Sequence, residues 1–98
     1  MNKDAVFITI NHLDNYGGIR RFRVNDVLKL MKDRDNPFDD EAIGVYDQHS
    51  VKCGYVANSV SSVARGTCSA GRVYEQVDDD ADCIVRFIIE DSLIAQLL

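Results

Sequence analysis

Leu30-Met31-Lys32-Asp33-Arg34-Asp35-Asn36-Pro37-Phe38-Asp39-Asp40-Glu41-Ala42-Ile43-Gly44-Val45-Tyr46 is the stretch on which the reading of this chain turns. It is a polar corner between two apolar runs. Val27 to Met31 alternates, with Leu28 and Leu30 on one face of a strand. Ala42 to Tyr46 reads as a second short strand, rich in β-branched residues. Within the corner, Pro37 fixes its own φ, and Asn36 and Asp39 are residue types that bond their own backbone in turns. Downstream, Asp47-Gln48-His49-Ser50 forms a turn, and Val51 to Val56 returns as a hairpin partner.

Working outward, Val6 to Ile10 suits a strand, and Asp14-Asn15-Tyr16-Gly17-Gly18 is a turn cluster. Ala57 to Ala64 is the expected helix, capped by Asn58 or Ser59, striped by Val60, Val63 and Ala64, and ended by Gly66. Arg72 to Val77 reads as a strand and Asp78-Asp79-Asp80 as a hairpin loop. Cys83 to Ile89 is the strongest strand, with Cys83, Val85, Phe87 and Ile89 on one face and Arg86 opposite. Ser92 to Leu98 reads as one or two helical turns whose apolar residues cover the barrel or make a dimer contact. Six short strands and a helix inserted before the last two suggest a mostly β fold in one domain, residues 1–98. A small barrel would also remove exposed strand edges.

Hydrophobic residues make up 46% and charged residues 28% of the 98, which is ordinary globular composition. No apolar run approaches the roughly 18 residues a membrane span requires. The start, Met1-Asn2-Lys3-Asp4-Ala5, lacks a signal-peptide pattern. Three cysteines, Cys53, Cys68 and Cys83, without such a signal favour reduced thiols and a cytoplasmic location. There is no CxxC, and His12 and His49 lie far apart, so neither a metal nor another cofactor is expected. The net charge of −5 opposes non-specific nucleic-acid binding. Basic residues are nonetheless concentrated in residues 1–34, around Arg20, Arg21 and Arg23.

The Asp-Asn-Pro-Phe-Asp core, taken with Gly54-Tyr55-Val56 and with Tyr16-Gly17-Gly18 after the first strand, resembles the HIRAN domain family. That resemblance implies a six-stranded OB-like barrel with one or two short helices. In one well-understood member, a helicase-like remodeller of stalled replication forks, the domain binds single-stranded DNA and captures its free 3′-hydroxyl end. The implied function is thus a non-catalytic DNA-binding module that recognises single-stranded DNA or a 3′-hydroxyl end in repair or replication restart. Its partner protein would be part of a DNA-processing machine.

The candidate nucleic-acid-binding residues are Tyr16, Arg20, Lys29, Asn36, Phe38, Asp39 and Asn58. Asn36 and Asp39 admit two readings. Both can serve a rigid strand connection through their own main chain. Alternatively, the Asn36 amide donates to phosphate or a base edge, and the Asp39 carboxylate accepts from a terminal 3′-hydroxyl and repels a phosphorylated end. Phe38 and Tyr16 are either stacking surfaces or packed residues. The DNA-binding member has an Arg-Tyr pair near Asp14-Asn15-Tyr16 and a lysine where this chain has Asn58. Two phosphate-facing cations are thus absent, and Arg20, Arg21, Arg23 or Lys29 are the candidates to replace them. The rival reading is a protein-interaction or structural module that keeps the barrel and has lost the DNA site. Asp35, Asp39, Asp40 and Glu41 lack a supporting histidine or a second acidic cluster, so no enzyme activity is expected.

Overall fold

Leu28 and Leu30, Ile43 and Val45, and Cys83 and Val85 are each two residues apart and fully or almost fully buried. A strand sends alternate side chains to opposite faces, so these pairs define the inner wall of a closed sheet. The computed structural model describes residues 5–77 and 81–98. Its strands are β1 (Phe7–Asn11), β2 (Val27–Lys32), β3 (Ile43–Tyr46), β4 (Lys52–Val56), β5 (Ala81–Ile89) and β6 (Ser92–Leu97). They close in the order β1-β4-β3-β2-β5-β6, every seam antiparallel. The seams differ in length. β5 and β6 share six paired positions, whereas β1 and β4 share two, Ile10 with Val56 and Asn11 with Tyr55. Ile8, Ile10, Leu30, Ile43, Val45, Val85 and Leu93 fill the barrel at zero exposure.

Four expectations are corrected. Residues 57–64 form turns, not a helix. Val60, the head of the expected apolar stripe, is 99% exposed, and Ser59 bonds Ser62 through both hydroxyls and main chain. Serines that can bond neighbouring backbone compete with the helical ladder. The helix lies later, as α1 (Ala70–Val73) continued by a 3-10 turn over Tyr74–Gln76, where a strand was expected. Ser69 caps it by accepting from Arg72 N, and Ala70, Val73 and Val77 bury one helical face.

Ser92–Leu97 is the closing strand and not a helical turn. Leu93, Ile94 and Ala95 are consecutive and all buried, because the 57–69 segment covers the outer side of this part of the sheet. Ala57 N and Cys68 N donate to Thr9 O and Phe7 O on β1. Thr9, 2% exposed, sits under the segment in a closed ring of bonds. Ala64 N donates to Thr9 Oγ1, Thr9 donates to Thr67 Oγ1, and Thr67 donates to Ala64 O. On β5 the expected single face breaks at a bulge between Val85 and Phe87. Phe87 and Ile89 therefore turn outward and are 59% and 46% exposed. The loop expected at Asp78-Asp79-Asp80 lies outside the described residues.

Candidate nucleic-acid interface

The corner between β2 and β3 is built by its own polar side chains. Asn36 Oδ1 accepts from Phe38 N at 2.8 Å and Asp39 N at 3.1 Å, and Asn36 Nδ2 donates to Asp33 Oδ2 at 3.3 Å. Asp39 Oδ1 in turn accepts from Glu41 N at 2.9 Å, and Asp33 N donates to Ala42 O across the mouth of the corner. With Pro37 restricting the backbone between them, these bonds fix the main chain that carries the Phe38 side chain. It points into solvent, at 94% exposure.

Asn58 fastens this corner to the rest of the molecule. Its Nδ2 donates to Asp39 Oδ1 at 3.2 Å and Oδ2 at 3.1 Å, and reaches Glu41 Oε1 at 3.4 Å. Its Oδ1 accepts from Gly71 N at 2.8 Å, so one amide joins the corner, the segment after β4 and helix α1. Among the described residues, Asp39 Oδ2 accepts only from Asn58. A carboxylate has about four acceptor positions, so a hydroxyl donor can still be taken.

Asn36, Phe38, Asp39 and Asn58 line one hollow of about 380 Å³, together with Asn11, His12, Asn15, Tyr55, Ser59 and Ser62. Four of the seven candidate residues therefore meet at one place. Tyr16 adjoins it, packing edge-on against Tyr55 with ring centroids 6.4 Å apart. Arg20 and Lys29 do not line the hollow. Lys29 faces Asp82 at 3.7 Å, an ion pair too long for a hydrogen bond, and Arg20 is exposed on a 3-10 turn. Arg21 is also committed elsewhere: it bonds Asp47 and donates to Tyr16 O, tying the first turn to the β3–β4 loop.

Sequence reasoning missed two features. Asn11 Oδ1 is buried at the edge of the hollow and has no partner among the described residues. Lys52 lies over the Tyr55 ring at 4.1 Å, with the rings of Tyr46 and Tyr16 at 5.7 and 5.9 Å. It bonds the Tyr55 hydroxyl, which donates to Asp33 Oδ2 at 3.1 Å. Burial alone would lower the Lys52 pKa. The Tyr55 bond and the surrounding tyrosines outweigh it and raise the ammonium above 10.5. Tyr55 is thus held rigidly as one wall of the hollow. Its signal was its place in Gly54-Tyr55-Val56, where alternation turns Tyr55 outward between Gly54 and Val56.

These features define a class: a small closed antiparallel barrel that carries an exposed aromatic ring and a carboxylate on one hydrogen-bonded corner. The sequence profile of the HIRAN domain matches residues 5–82, and the chain belongs to the HIRAN domain family, a family of DNA-binding modules. The fold is similar to the crystal structure of the HIRAN domain of human HLTF, with a TM-score of 0.66 and 19% identity over 95% of this chain and 74% of that one. It is also similar to the crystal structure of a protein from Lactobacillus plantarum, at a TM-score of 0.59 and 18% identity over 95% and 94% of the two chains. No curated protein matches the sequence. Among the described residues, no helix is long and apolar enough to cross a membrane.

Proposed function

We propose that this domain binds the end of a single DNA strand, without catalysis, and holds its terminal nucleotide between Phe38 and Asp39. One observation carries the reading. Phe38 is a large aromatic side chain, 94% exposed, braced by Asn36 beside a hollow walled by the Asp39 carboxylate. Leaving a phenyl ring in water forgoes its burial energy, and bracing it there suits a surface that completes itself on a ligand. A base stacked on such a ring gains roughly 1–3 kcal/mol whatever its identity. The Asp39 carboxylate accepts a hydroxyl donor and repels a phosphate, so the terminal nucleotide it favours ends in a 3′-hydroxyl.

The reading is of a binding site and not a hydrolase. His12, Ser59, Ser62 and Asp39 all line the hollow. Among the described residues, however, His12 makes no side-chain hydrogen bond to a serine or to Asp39, and Ser59 is bonded to Ser62. Among the described residues, neither serine hydroxyl there is hydrogen-bonded to a base that would activate it.

The test is fluorescence anisotropy of a labelled oligothymidylate with wild-type protein and Phe38→Ala. The variant should bind roughly 5- to 140-fold more weakly, which is the stacking energy converted at 1.4 kcal/mol per decade. Equal affinity for the two proteins would refute the stacking role. A wild-type domain that captures no DNA at low salt would refute the proposed function.

A further inference from the structure

Two further hollows flank the one just described, and they carry opposite charge. One shares Asn11, His12 and Asn15 with it and is completed by residues that include Asp14 and Asp91; among the described residues no lysine or arginine lines it. The other, about 360 Å³, shares Asn58 and Ser59 with it and is lined beyond them by Arg65 and Arg72; among the described residues no aspartate or glutamate lines it. In a chain of net charge −5, this is a local departure from the average.

The two arginines also differ from most other cations in being unengaged. Arg21 is bonded to Asp47, Lys29 faces Asp82, Lys52 is held by Tyr55 and Asp33, and Arg86 donates to Gln96. Arg65 and Arg72 are both exposed, and among the described residues neither guanidinium makes a hydrogen bond or an ion pair. Their backbone is nonetheless fixed. Arg65 follows Ala64, whose N–H is bonded to Thr9 on β1, and precedes Gly66, whose φ of +88° turns the chain. Arg72 lies in α1, and its own N–H closes the Ser69 cap.

We propose that Arg65 and Arg72 form a phosphate track for the DNA strand whose end occupies the Phe38–Asp39 hollow, so that the strand leaves over the 58–67 segment and not past His12. This rests on the end-binding reading and adds a direction to it. With a terminal 3′-hydroxyl at Asp39, the phosphates on the track belong to nucleotides on the 5′ side of the end. Each guanidinium offers five donors in a planar fork, which matches phosphate oxygens. The opposite exit, past Asp14 and Asp91, places two carboxylates against the same backbone.

The experiment measures binding of two oligothymidylates with free 3′-hydroxyls, a trinucleotide and a strand of about 12 nucleotides, across a salt titration. The proteins are wild type, the double variant Arg65→Gln/Arg72→Gln, and Arg20→Gln as a control that removes one charge outside the hollow. For the long strand, the double variant should lower the slope of log affinity against log salt by about 1.4, two single-strand phosphates at about 0.7 each. Trinucleotide binding should be unchanged, and the Arg20 control should change neither. An unchanged slope, beside normal trinucleotide binding, overturns the track and leaves the end reading intact. Equal weakening on both strands overturns it too, because the arginines would then act within the hollow. Absence of wild-type binding to either strand overturns both proposals.

Discussion

Two glycines of this domain face an obstacle at the same distance and should respond to alanine in opposite ways. A Cβ built on Gly54 would lie 2.5 Å from Asn11 O, a main-chain atom, and 3.0 Å from Leu13 Cδ2. Ordinary contact begins near 3.4 Å, so β1 and β4 would have to part by about 0.9 Å. They share only two paired positions, and the adjacent Tyr55 is a wall of the hollow. Overpacking a rigid core costs about 1–3 kcal/mol, and the upper end applies where the obstacle is backbone. At about 3 kcal/mol, a domain of this size loses about 12–24 °C in Tm. A Cβ on Gly71 would lie equally close, 2.5 Å from Glu41 Oε1. That atom ends an exposed side chain that can swing aside, and alanine gains about 0.5–1 kcal/mol over glycine in a helix. Gly71→Ala should therefore melt within about 1 kcal/mol of wild type. Thermal unfolding followed by circular dichroism compares the three proteins. Similar losses for the two variants, or a Gly54→Ala domain as stable as wild type, would show that main-chain clash does not set the cost.

Other consequences follow from the same contacts. Asn58→Ala removes the amide that joins Asp39, Glu41 and Gly71, and should cost about 2 kcal/mol in urea unfolding, the sum of a bond to a charged group and a neutral one, discounted for partial exposure; a loss below half of that would mean the corner stands without its tie. Asp47 is held below its usual 3.8 by the Val51 N–H above all, then by the His49 N–H and Arg21, against an opposing burial effect. Its folded pKa is depressed, so its contribution is complete at neutral pH and is lost as pH falls below 3.8. Asp47→Asn should flatten the acid limb of a stability–pH profile, and an unaltered limb would contradict this. Burial, assisted by Asp82, pushes the Cys83 thiol from 9.0 to about 12. The unfolded thiol ionises first, so stability should decline as pH rises from 9 towards 12. At neutral pH, half-buried Cys68 should react with a thiol reagent before Cys83 does; simultaneous labelling in the native state would argue against this burial.

The parts legible in the sequence were those whose pattern is local. Leu28 and Leu30 mark β2 by alternation, and the Asn36-Pro37-Phe38-Asp39 corner carries its own bonds within four residues. The parts missed depend on distant partners. A run such as Leu93-Ile94-Ala95 has no period that separates strand from helix, and what makes it a strand is pairing on both sides, with β5 just before it and with β1 more than eighty residues earlier in the chain. Ala70, Val73 and Val77 do have a helical spacing, hidden when the window is opened at Arg72. The cations were misplaced for the same reason. Counting charge along the chain favours residues 20–29, but Arg21 is neutralised by Asp47 and Lys29 is paired with Asp82. Arg65 and Arg72 gain their importance only when the fold sets them beside Asn58.

The central claim is that Asp39 reads the chemistry of a DNA end. Short single strands ending in 3′-hydroxyl or 3′-phosphate, matched in sequence and measured by anisotropy at one low salt concentration, address it most directly. A carboxylate about 4 Å from a phosphate oxygen opposes it by between about 1 and 4 kcal/mol, depending on the effective dielectric. The hydroxyl end should therefore bind about five-fold or more tightly to wild type, and Asp39→Asn should narrow that ratio towards one. Equal binding of the two ends by the wild-type domain would contradict the account.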